Sequence, residues 1–254
     1  AWCSRHGLPL DVHCLVGIPG ETRAEIRATL EMAARLHQAH GARPLLQFAT
    51  PLPGTPLERE CRAHGWLVEP VGDLMAAFQQ RSVLRTDQFV LDQLAPLHPA
   101  RKVIANLTYQ CNNHCRFCAV GDRAPRHAKP SELARQLARY RDEGYELLDL
   151  DGGEPTLHPD LLGIIHTARQ LGYGRITLVT NGRRCAYAGY ATELARSGLD
   201  EVLVSLHASD PALHDRLTCT PGSHEQTVAG LRNLLRLMPS SRSVAVNTTV
   251  VADN

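Results

Sequence analysis

Apolar residues recur along this chain in two alternating rhythms. Short continuous apolar runs lead into Gly- or Pro-containing loops. Each is followed by a segment whose apolar residues return every three or four positions. The first rhythm is that of a buried strand, the second that of an amphipathic helix. The pattern predicts strands at 103–109 (VIANLTY), 147–150, 176–179, 202–206 and 244–251. Helices are predicted at 131–143, 159–171, 188–197 and 226–237. In the first of these, Leu133, Leu137 and Tyr140 share a face, Ser131 is placed to cap and Gly144 to stop. Strands alternating with helices imply right-handed βαβ units on a parallel sheet, an α/β fold.

The same alternation opens the chain. A strand at 12–16 (VHCLV) runs into GIPGET, and a helix at 21–40 begins with Thr22 and Glu25 in capping-box spacing and ends at Gly41. A strand at 45–49 (LLQFA) runs into TPLPGTPL, and a short helix covers 57–64. Between 66 and 100 the pattern blurs, with helical signatures at 71–81 and 87–99 in what reads as a connector.

Charge adds little. Lys and Arg number 27 against 26 Asp and Glu, and hydrophobic residues make up 43%. That balance excludes a disordered chain and argues against a nucleic-acid binder, which needs a basic surface. No apolar run approaches the ~20 residues of a membrane helix, and the first residues are not a signal peptide. The eight cysteines are distributed as five scattered and three clustered, which points to reduced thiols and a cytoplasmic setting. The scattered five read as buried apolar filler.

The clustered three form Cys111-x3-Cys115-x2-Cys118, immediately after a strand. Three thiolates so close in sequence suit a soft metal site, either an iron–sulfur cluster or zinc, with plain core or surface thiols as the remaining reading. Asp151-Gly152-Gly153-Glu154-Pro155 follows the next strand; paired glycines allow close backbone approach to a ligand, and otherwise make a tight turn. Thr180-Asn181-Gly182 and Ser205-Leu206-His207 follow the third and fourth strands. Loops after strand carboxyl ends are where parallel α/β folds build their sites.

Taken in order, these four motifs resemble the radical SAM superfamily. The branch most similar to 102–254 contains the molybdenum-cofactor cyclase and peptide-modifying enzymes, and the likeness includes HDRLT (214–218), PGSHEQTVAGLRNL (221–234) and VNTTVVADN (246–254). The resemblance implies a partial (β/α) barrel and an enzyme that cleaves S-adenosylmethionine to a 5′-deoxyadenosyl radical, with an external electron donor and an unknown small-molecule or peptide substrate. It implies that Cys111, Cys115 and Cys118 ligate a [4Fe–4S] cluster. Gly152, Gly153 and Glu154 would hold the methionyl ammonium and Ser205 the ribose or carboxylate. Asn181, Arg216 and the backbone near Asn247 would line the same pocket. The alternative is a non-catalytic zinc or iron–sulfur module on a degenerate barrel.

Residues 1–70, through GIPGET, TPLPGTPLE and GWL, resemble the closing part of another radical SAM branch, one that often carries a cobalamin domain upstream. The implied organisation is 1–70 as the end of one barrel, 71–100 as a linker and 101–254 as the truncated front of a second. The fifth strand would then occur twice, at 12–16 and 244–251, in a fragment of something longer. The competing arrangement has the N-terminal strands completing the sheet begun at Val103.

Overall fold

A computed structural model describes residues 10–51, 54–67, 75–76, 84, 102–118, 120–121 and 124–249. Its strands are β1 (Leu10–Val16), β2 (Arg43–Phe48), β3 (Met75–Ala76), β4 (Lys102–Thr108), β5 (Leu147–Gly152), β6 (Arg175–Thr180), β7 (Glu201–Ser205) and β8 (Ser243–Asn247). The helices are α1 (Arg23–His40), α2 (Pro56–Ala63), α3 (Pro130–Asp142), α4 (Leu161–Gln170), α5 (Ala188–Ala195), α6 (Pro211–Thr218) and α7 (Ser223–Leu237).

All eight strands form one sheet in the order β2-β1-β8-β7-β6-β5-β4-β3. Every pairing is parallel except that of β3 with β4. The two segments that resemble ends of different cores therefore share a sheet, joined where Leu10 and Asp11 pair with Val246 and Asn247. The joint is not between β2 and β4, which stand towards opposite ends of the sheet.

Alternation along the strands sorts the two faces. Leu148, Leu150, Ile176, Leu178, Val202 and Val204 turn towards the helices and pack on Leu133, Leu137, Ile164, Ile165, Leu194 and Leu234 in the main core. The other face is concave and carries polar groups. Its curvature is visible in a bond between Arg43 of β2 and Glu201 of β7, 2.8 Å long. Register puts Arg43 level with Ser205, four residues above Glu201. In a flat sheet the two would lie about 19 Å apart, three strand spacings across and four rises along, farther than both side chains reach. The sheet curls as a partial barrel does. At its amino end Arg43, Lys102, Asp149, Arg175 and Glu201 surround a cavity of about 110 Å³. Lys102–Asp149 (2.9 Å) and Arg175–Glu201 (2.6 Å) are paired there.

Local chemistry explains most boundaries. Thr22 and Glu25 form the anticipated capping box, and Gly41 ends α1 in the left-handed region at φ 63°. α3 begins at Pro130 rather than at a Ser131 cap, because proline lacks the N–H that a first helical turn leaves unpaired. The helix predicted at 71–81 is overturned at Met75–Ala76, which pair antiparallel with Ala105 and Ile104 on the open edge of β4. The predicted helix at 87–99 and the last residues of the predicted strand at 244–251 lie outside the described residues. α6 was not anticipated, although Asp210 caps it by accepting the Leu213 N–H and Pro211 occupies its first turn. α7 starts earlier than its apolar pattern suggests. Its first turn is capped from α6, where Asp215 accepts from the Gly222 and His224 N–H groups and the Ser223 hydroxyl. Those bonds outweigh burial and hold the Asp215 carboxyl below the usual range. Among the described residues no helix is long and apolar enough to cross a membrane.

Candidate functional site

The cysteine loop leaves the carboxyl end of β4 and docks on the end of α6. The His114 N–H donates to the Thr218 carbonyl at 2.9 Å and the Arg116 N–H to the Leu217 carbonyl at 3.0 Å. The loop's first half is clamped from β6. The Asn181 amide donates to Asn112 Oδ1 at 2.7 Å, and Arg183 donates to the Asn112 carbonyl and to Asn113 Oδ1 (2.8 Å). Arg183 is itself aligned by Gln226 of α7 at 2.7 Å. At the far end Phe117 sets its ring against His207, with centroids 4.8 Å apart.

The diglycine after β5 is a packing device within the protein. A Cβ on Gly152 would lie 2.4 Å from the Thr108 carbonyl oxygen, and one on Gly153 would lie 2.5 Å from that of Gln110. Gly152 also has φ 133°, which side chains rarely adopt. The glycines let β5 run against the backbone entering Cys111, where Gly153 and Glu154 donate to Thr108 and Gln110 at 2.6 and 2.8 Å. Glu154 is 1% exposed. Its carboxylate accepts from the Thr156 N–H and hydroxyl, the Thr180 hydroxyl and the Asn181 N–H. Asn181 in turn spends its carbonyl on Thr227 and its Oδ1 on the Arg183 N–H. Gly153, Glu154 and Asn181 are thus brought into one hydrogen-bonded frame with the residues on either side of Cys111.

The remaining anticipated residues divide. Ser205 and Asn247 are half-buried and stand opposite each other in register on the concave face. Arg216 is exposed on α6. Sequence reasoning did not single out Asp151, which shares the concave carboxyl end with its register partner Asn106. Loss of water pushes the Asp151 carboxyl up to about 7; the Gly152 N–H opposes that, while Asp149 and Glu154 add to it. Nor did it give a role to Arg183, which follows Thr180-Asn181-Gly182, or to His214, which opens the HDRLT segment. The Nδ1 of His214 accepts the His207 N–H at 3.2 Å, and the two rings stack at 5.7 Å.

The sequence profile of the Radical SAM superfamily matches residues 105–253, more than half of the chain. The chain belongs to the radical SAM superfamily. Among curated radical SAM relatives, a probable GTP 3′,8-cyclase of Methanopyrus kandleri is 36% identical over 133 residues, covering 52% of this chain and 42% of that protein. One from Saccharolobus islandicus is 30% identical over 153 residues, covering 59% of this chain and 49% of that protein. The chain thus spans about half the length of these relatives. Among solved structures, Streptococcus suis SuiB bound to S-adenosylmethionine is 22% identical with a TM-score of 0.48, covering 57% of this chain and 33% of that one.

The superfamily implies an iron–sulfur cluster, and the donors here do not fit one. Among the described residues no group of three or more His, Cys, Asp or Glu is placed to hold a metal ion. This overturns the expectation that Cys111, Cys115 and Cys118 ligate a [4Fe–4S] cluster. With it falls the radical enzyme that depends on that cluster and the zinc or iron–sulfur module offered as its alternative. Nor do the described residues supply a metal-holding group for cobalamin. Burial raises the Cys111 and Cys115 thiols, Cys115 to about 12, with neighbouring Cys111 and Cys118 adding to the latter. Cys118 is exposed instead, its side chain resting over Gly121. Of the scattered cysteines, Cys14, Cys61 and Cys185 are buried as anticipated, Cys219 is exposed, and Cys3 lies outside the described residues.

Proposed function

We propose that this chain binds S-adenosylmethionine, as a ligand, in the concave groove at the carboxyl ends of β4 to β8. One observation carries the reading. The loops after β4, β5 and β6 are locked into a single frame by Glu154 and Asn181, and the polar pairs Asn106–Asp151 and Ser205–Asn247 stand in register near the carboxyl ends of their strands beside it. The donor set suits the ligand. Ser205 and Asn247 are the hydroxyl and amide for a ribose diol, and Asp151 is the carboxyl for an ammonium. Ionising Asp151 next to a cation offsets the burial that now favours its neutral form. Glu154 serves by holding the loops, since both its oxygens already accept from the protein. Membership of the superfamily supports the same ligand. Unbridged thiols throughout the described residues support a cytoplasmic setting.

Titration calorimetry with S-adenosylmethionine tests the reading, with S-adenosylhomocysteine and GTP as comparisons. GTP is included because the relatives above are named as GTP cyclases. Ser205→Ala and Asn247→Ala are expected to weaken binding by about tenfold each, the loss of one hydrogen bond of about 1 kcal/mol with its unpaired partner. Absence of heat at millimolar ligand would sink it.

A further inference from the structure

At the amino end of the sheet, away from the groove, the concave face carries a polar layer. Asp149, Thr177, Glu201 and Ser243 stand level across β5 to β8. Interior layers of barrels are ordinarily filled by branched apolar side chains. Here Asp149, Thr177 and Glu201 are all buried. Buried ion pairs add little stability, so stability does not account for the layer. These three residues border the cavity of about 110 Å³ together with Arg43, Lys102 and Arg175, and Leu147 and Leu203 complete its wall. The space holds several water-sized groups.

The bonding around this cavity is uneven. Glu201 is fully engaged: its Oε1 accepts from Arg43 and from the Ser243 hydroxyl, both at 2.8 Å, and its Oε2 from Arg175 at 2.6 Å. Asp149 is half engaged. Its Oδ2 accepts from the Lys102 ammonium at 2.9 Å, while among the described residues no group bonds its Oδ1 or the Thr177 hydroxyl. Lys102 has three N–H donors and places one of them on a described residue. Three cations against two carboxylates leave one positive charge in excess, and apolar walls strengthen its field inside. The Arg43 and Arg175 side chains, 41% and 43% exposed, stand at the mouth, with Asp149 deeper at 9%.

We infer that this cavity is a site for inorganic phosphate, held as the monohydrogen dianion. The excess charge selects an anion. Asp149 Oδ1 selects one that still carries a proton, because a fully deprotonated anion would set its lone pairs against a carboxylate. Monohydrogen phosphate donates its O–H to Asp149 Oδ1. Its other oxygens accept from the Lys102 ammonium, the Thr177 hydroxyl and the guanidinium groups at the mouth. Sulfate has the same shape and charge but no proton, and a phosphate monoester dianion has lost its own. A site that hydrogen-bonds a ligand O–H rejects analogues lacking it far more strongly than a site that reads size alone.

The site stands apart from the nucleoside groove, and its test needs no nucleoside. Titration calorimetry of the full chain in mildly alkaline, phosphate-free buffer compares inorganic phosphate, sulfate and methyl phosphate. Phosphate is expected to bind, and the other two at least about a hundredfold more weakly. Thr177→Val is expected to weaken phosphate by about tenfold, through the loss of one hydroxyl donor. Asp149→Asn is expected to abolish the preference over sulfate, since the amide can donate where the carboxylate could only accept. The comparison of ions on the unaltered protein decides the matter even if that variant fails to fold. No heat from millimolar phosphate, equal affinity for phosphate and sulfate, or phosphate binding unchanged in folded Thr177→Val and Asp149→Asn would each overturn the inference.

Discussion

Glu154 accepts the backbone N–H of Asn181 at 2.7 Å, across 27 positions of chain, and so fixes the loop after β5 to the loop after β6. A buried carboxylate with four donors is an acceptor that no neutral side chain replaces. Glu154→Gln puts an NH₂ group among N–H and O–H donors. The expected cost is about 1–3 kcal/mol, seen as a lower urea midpoint with an unchanged slope. An unchanged midpoint would show that these bonds do not hold the frame.

Two glycines make a sharp contrast. A Cβ on Gly230 of α7 would meet the Gly182 carbonyl oxygen at 2.0 Å, whereas a Cβ on Gly189 of α5 would meet nothing within 4 Å. Gly230→Ala is expected to destabilise by at least about 1–3 kcal/mol through forced separation of α7 from the β6 loop. Gly189→Ala is expected to be neutral or stabilising by up to about 1 kcal/mol, as alanine restricts the unfolded chain. Thermal melts of both variants decide it.

Arg183 ties three elements, so its removal should loosen the cysteine loop selectively. Arg183→Met deletes the donors to Asn112, Asn113 and Gln226 while keeping much of the stem. Amide exchange at His114 and Arg116, whose N–H groups dock on α6, is expected to quicken by about tenfold, with exchange in β5 unchanged. Equal acceleration everywhere would assign Arg183 a global role instead.

Acid should weaken the exits of β7 and β8. His207 Nδ1 accepts the Thr249 N–H, and His214 Nδ1 accepts the His207 N–H, so both rings are held neutral. Burial lowers both to about 4, helped by the charge of His214 on His207 and of His224 on His214, with Asp215 opposing at the latter. Between about 4 and the ordinary value near 6.5 the unfolded chain binds more protons than the folded one. Stability therefore falls as pH drops through that window, by roughly 1.4 kcal/mol per pH unit for each ring, and levels off below 4. Chemical denaturation from pH 7 to 4 in the unaltered protein and in His214→Phe separates this contribution from that of other groups.

Much of this architecture is legible in the chain. The strands at 147–152, 175–180 and 201–205 and the helices between them follow from apolar rhythm, and Thr22 and Gly41 mark the ends of α1 by local hydrogen bonding alone. What was illegible has a common cause, in partners distant in sequence. Asp215 caps a helix it does not belong to, β3 exists because β4 has an open edge, and the roles of Glu154 and Asn181 arise only where two loops meet. The cysteine spacing was legible as a pattern, but spacing does not decide whether sulfurs converge.

By itself the sequence determined the alternation of strands and helices, the face each apolar residue turns inward and the family to which residues 105–253 belong, because these depend on periodicity and on motifs read in order. Tertiary structure alone decided that β1 joins β8, that Arg43 reaches Glu201 across a curled sheet, and that Cys115 and Cys118 share a turn without a metal-holding group around them. Periodicity acts through neighbours one or two turns away. The direction of a side chain in a site is set instead by packing and hydrogen bonds from elements that the chain brings together only when folded.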